Sequence, residues 1–72
     1  APSIKSIRMA RGMSQKMLAE AMGTDQAAIS RIENGKANLQ ASTIKKLASI
    51  LGVESVVMWK IVEAMTGDDD HG

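Results

Sequence analysis

Seventy-two residues, 44% of them hydrophobic, make one small packed domain and leave little material for a catalytic cleft. Trp59 is the only aromatic residue and cysteine is absent, so the core must be aliphatic, and disulfides and thiolate metal sites are excluded. The formal charge of +1 hides an asymmetry: without Asp68, Asp69 and Asp70, nine Lys and Arg face five acids, a net of +4, so a basic body suited to a polyanion carries an acidic end.

An aliphatic core with six Met favours helices over sheets. Five helices are expected in an all-α fold, with no strand, repeat or second domain. The first runs from about Ser3 to Arg11, with Ile4 and Ile7 inward and Gly12 as its stop. The second is capped by Ser14, carries Met17, Leu18 and Met22 inward and ends at Gly23. The third starts at Thr24 or Asp25, either of which can cap, buries Ile29 and Ile32 and ends at Asn34-Gly35. A polar loop covers Lys36 to Gln40. The fourth spans about Ala41 to Leu51, with Ile44, Leu47, Ala48 and Leu51 at helical spacing and Gly52 as its stop. The fifth spans about Glu54 to Met65. Residues 1–66 are expected to form the domain, and 67–72 a disordered acidic tail.

The stretch from Ser14 to Gly35 carries the functional signal. At about 100° per residue, Gln26, Ala27, Ser30, Arg31 and Asn34 fall within one arc of about 140°, opposite Ile29 and Ile32. One face packs; the other offers amide, hydroxyl and guanidinium groups. An α-helix fits the major groove of B-DNA, where Gln pairs with adenine, Arg with guanine, and Ala touches a thymine methyl. Gln15, the first residue after the Ser14 cap, sits where free backbone N–H groups suit a phosphate. Asn34, Lys36 and Asn38 are placed to meet the backbone beyond the other end. Taken alone, Gln26, Ser30 and Arg31 also fit a merely solvated face; the surrounding two-helix pattern favours DNA.

With these residues in place, the chain resembles the Cro/repressor-type helix-turn-helix family, also called XRE. The resemblance rests on Arg8, Gly12-Met-Ser-Gln15, Leu18-Ala19, Gly23, Ile29-Ser30, Glu33-Asn34-Gly35, Ile44, Leu47-Ala48 and Leu51-Gly52-Val53. It implies a compact five-helix, lambda-repressor-like DNA-binding domain. It implies that Gln15 touches phosphate and braces the base-contacting residues, that Gln26, Ala27 and Arg31 face base edges, and that Arg8 pairs with Glu33. Asp25 departs from the frequent Ser or Thr at its place; it caps well, repels phosphate, and is able to accept from a cytosine amino group.

Beyond Val53 the likeness fades. Eight of the twelve residues from Glu54 to Met65 are apolar, more than one buried stripe needs. Val56, Val57, Trp59, Ile61 and Met65 are therefore expected to form a homodimer seam, with a deeper core as the plainer reading. A twofold dimer also reads two half-sites about one helical turn apart. The expected function is sequence-specific binding of a palindromic double-stranded operator by a bacterial or phage transcription regulator, most readily a repressor. The alternative is an antitoxin-type interaction module that neutralises a toxin and regulates its own operon. An enzyme is not expected: no Cys, no suitably placed pair of acids and no phosphate-binding loop is present. No cofactor or metal is expected, and His71 is read as part of the tail rather than as a ligand. The chain has no signal-peptide pattern and no membrane-spanning run, so a cytoplasmic, nucleoid-associated location is expected.

Overall fold

Ser3 opens the first helix with a reciprocal cap. Its hydroxyl accepts from the Ser6 amide at 3.1 Å, and the Ser6 hydroxyl accepts from the Ser3 amide at 2.8 Å. The computed structural model describes residues 3–66; the acidic stretch 67–72 lies outside the described residues. Within them the elements are α1 (Ile4–Ala10), α2 (Gln15–Met22), α3 (Gln26–Glu33), α4 (Ala41–Leu51) and α5 (Ser55–Thr66). Five helices and no strand among the described residues make the fold all-α.

The α2–α3 pair is built from local signals. Ser14 accepts from the Met17 amide at 3.0 Å, and Asp25, not Thr24, caps α3 by accepting from the Ala28 amide at 2.9 Å. Between them Gly23 takes φ 75°, ψ 31°, and the Thr24 amide reaches back to the Ala19 carbonyl at 2.9 Å. A Cβ on Gly23 would meet nothing within 4 Å, so the left-handed backbone, not space, demands glycine. Ala19 is buried in α2, which packs on both α3 and α4.

Every helix contributes to one core: Ile4; Leu18 and Ala19; Ile29 and Ile32; Ile44, Leu47, Ala48 and Leu51; Met58, Ile61 and Val62. Burying each large aliphatic side chain stabilises by about 1.5–3 kcal/mol. Met17 does not face inward as its spacing predicts. Met17 is 49% exposed; the inner face of α2 is made by Leu18, Ala19 and Met22, and a residue one step before Leu18 is turned about 100° away.

The start of α4 lacks a side-chain cap. Gln40 holds its N-cap position without a side-chain hydrogen bond, because its amide lies one carbon further out than those of the good capping residues. Gln40→Ser is expected to raise stability by about 1 kcal/mol, read as a higher urea midpoint at constant slope. An unchanged midpoint would mean that water already satisfies those amides. No described helix is long and apolar enough to cross a membrane.

Candidate nucleic-acid interface

The site starts inside the domain. Arg8, in the last turn of α1, donates from Nε to Glu33 Oε2 at 2.6 Å and approaches Glu33 Oε1 from Nη2 at 3.4 Å. Its third nitrogen, Nη1, donates to the Met13 carbonyl at 2.8 Å. The side chains of Arg8 and Glu33 are only 8% and 4% exposed. The pair therefore ties α1 and the loop before α2 to the end of α3, out of water, where an unpartnered charge is costly.

From Glu33 the contacts run outward. Gln15 donates from Nε2 to Glu33 Oε1 at 2.9 Å, and Gln26 donates from Nε2 to Gln15 Oε1 at 3.2 Å. The polarity of this chain is dictated at its inner end. An ionised carboxylate only accepts, so Gln15 must turn its NH2 inward and its carbonyl outward. That carbonyl in turn requires the NH2 of Gln26. The exposed Gln26 amide is thus held by one hydrogen, while its Oε1 and second N–H make no hydrogen bond among the described residues. A buried charge pair orients an exposed amide two side chains away.

Around Gln26 the outer face of α3 is open. Ala27, Arg31 and Asn34 are exposed and Ser30 is half-buried, while Ile29 and Ile32 anchor the opposite face. Asn34 Nδ2 lies 3.5 Å from Ser30 Oγ, a weak contact. The Arg31 side chain makes no hydrogen bond or ion pair among the described residues and is free to extend. Asp25 has one oxygen engaged by the Ala28 amide and the other without a bonded partner among the described residues. Lys36 and Asn38 are exposed beyond the end of α3, and half-buried Gln15 begins α2 beside exposed Lys16. The arrangement offers one preset amide, one unpartnered guanidinium and small side chains on a single helix face.

On α5 the structure narrows the expected seam. Val56, Val57 and Trp59 are 56%, 40% and 39% exposed, but Ile61 is 5% exposed and Met65 packs half-buried on the core. Ile61 shares the inner stripe with Met58 and Val62, three and one residues away, so its side chain is already covered by its own domain. Arg11 was not singled out from the sequence, yet it donates from Nε to the Leu51 carbonyl at 2.8 Å. A contact spanning 40 positions leaves no local pattern to find.

A family model described as helix-turn-helix matches residues 4–58. It covers α1 to α4, the open face of α3 included, and the first residues of α5. No solved structure matches the chain. With the capped α2–α3 pair, the glycine turn between them and the internal Arg8–Glu33 pair, the match shows that the chain belongs to the Cro/C1-type (XRE) helix-turn-helix family of DNA-binding domains.

Proposed function

We propose that this protein is a bacterial or phage transcription regulator that binds a palindromic operator as a homodimer and represses by occluding polymerase. In this reading α3 enters the major groove. Gln26, Ala27, Ser30 and Arg31 face base edges, with Asp25 at the rim. Gln15, Asn34, Lys36 and Asn38 meet phosphates. The observation that carries the reading is the Arg8–Glu33–Gln15–Gln26 chain. It presets an outward acceptor and donor on Gln26, the pattern that pairs with adenine N6 and N7. A merely solvated glutamine needs no such bracing. The dimer reading draws on Val56, Val57 and Trp59, exposed apolar residues on one helix.

The experiment is amide chemical-shift mapping of the full chain with a mixed-sequence duplex at low salt. Perturbations are expected at the start of α2, along α3 and over Lys36 to Gln40. Perturbations confined to α5, or none, would defeat the reading and favour a protein-interaction module of antitoxin type. Trp59→Ala tests the seam separately: the self-association constant is expected to weaken at least about tenfold by sedimentation, since truncating a central aromatic costs over about 1–2 kcal/mol. Unchanged association would place the seam elsewhere.

A further inference from the structure

Arg11 takes no part in the relay. It lies just past α1, and its side chain crosses to the far end of α4. Nε donates to the Leu51 carbonyl at 2.8 Å, and Nη2 approaches the Gly52 carbonyl at 3.4 Å. The last carbonyls of any α-helix lack partners within the helix, and they form its negative pole. The last turn of α4 carries no basic residue of its own. Arg11 supplies the missing cation from the other end of the sequence.

The place where it does so is a joint. Only Gly52, Val53 and Glu54 separate α4 from α5. Gly52 turns the chain at φ 73°, ψ 32°, and the Val53 amide closes the turn on the Ala48 carbonyl at 3.0 Å. A Cβ on Gly52 would lie 3.4 Å from Arg11 Nη2, so the guanidinium lies close against the turn. A planar fork on two successive carbonyls fixes orientation as well as charge. Directly after the joint come Val56, Val57 and Trp59, the exposed face of α5.

We propose that Arg11 is a positioning residue that sets the direction in which α5 leaves α4, and thereby the half-site spacing that the dimer accepts; the second part rests on the dimer reading above. The shorter dimensions of the domain are 24 and 22 Å. Across such a lever, a swing of about 10° moves the recognition helix by about 4 Å, slightly more than one base-pair step of about 3.4 Å. A loosened joint therefore spreads the dimer over several spacings.

Two measurements on the full chain test this. In the first, amide dipolar couplings are recorded in an aligning medium. Residues 4–51 and 55–65 of the unmodified chain fit one alignment frame, whereas in Arg11→Ala the α5 couplings depart from the frame that still fits the rest. In the second, affinities are compared on the selected operator, on versions one base pair shorter and longer, and on a single half-site. Arg11→Ala is expected to weaken the discrimination between spacings about fivefold while leaving single half-site binding within about twofold. Arg11→Lys keeps the charge without the fork and is expected to fall between; it carries the comparison if Arg11→Ala does not fold. A plain stability role would lower the unfolding midpoint and leave both the frame and the preference unchanged, which would overturn the proposal. A changed frame with an unchanged preference would overturn the spacing claim. Binding of the unmodified chain only as a monomer would sink the dimer reading and the spacing claim with it, while the couplings still decide the joint.

Discussion

Glu33→Ala is expected to destabilise the domain by about 3–5 kcal/mol, a large fraction of the total for a chain of this size. The cause is what the substitution leaves behind. The Arg8 side chain is only 8% exposed, and without Glu33 its charge retains one acceptor among the described residues, the Met13 carbonyl. Gln15 loses its acceptor at the same time. Replacing both charged residues, as in Arg8→Met with Glu33→Leu, is expected to recover much of the loss, because apolar pairs of similar volume satisfy a buried site without a desolvation cost. Urea unfolding of the two variants measures both effects. A Glu33→Ala loss below about 1 kcal/mol, the range of exposed pairs, would contradict the account. The double variant also separates stability from function. It restores the fold without restoring an acceptor for Gln15, so DNA affinity should stay low while stability returns.

Arg31→Ala is expected to relax base preference. The loss on the best duplex is about 1–3 kcal/mol, about 5- to 150-fold, with a smaller loss on a scrambled duplex of equal length. Arg31 is exposed, shares the face of α3 with Gln26 and Ala27, and has no partner among the described residues to hold it away from DNA. Titrations of both duplexes at one salt concentration give the ratio. Equal losses on the two would make Arg31 a phosphate contact rather than a reader.

The parts of the fold set by local chemistry were legible in the sequence. Ser14 caps because its short polar side chain reaches back to a free amide, Thr24 and Asp25 were equal candidates for the next cap until the structure chose Asp25, and Gly23 and Gly52 end helices because only glycine takes that backbone angle without strain. The Ile29/Ile32 stripe separated the packed face of α3 from its open face. The links between elements were not legible. The Gln15–Glu33 and Arg11–Leu51 contacts span 18 and 40 positions, and no local periodicity encodes which side chains meet. The resemblance to the family supplied the Arg8–Glu33 pair, but its depth came only from the packing around it. Helix five was the hardest to read. Its apolar residues surround the helix, so the pattern alone did not separate Ile61, which is buried, from Val56 and Trp59, which are open.

The most direct test of the central claim, that α3 reads a specific duplex sequence from a twofold dimer, is selection of bound sequences from a random duplex pool at moderate salt, followed by titration of the winner. Enrichment of a palindrome with half-site centres about ten base pairs apart is expected. Enrichment of nothing, with only weak and salt-sensitive binding, would contradict the claim.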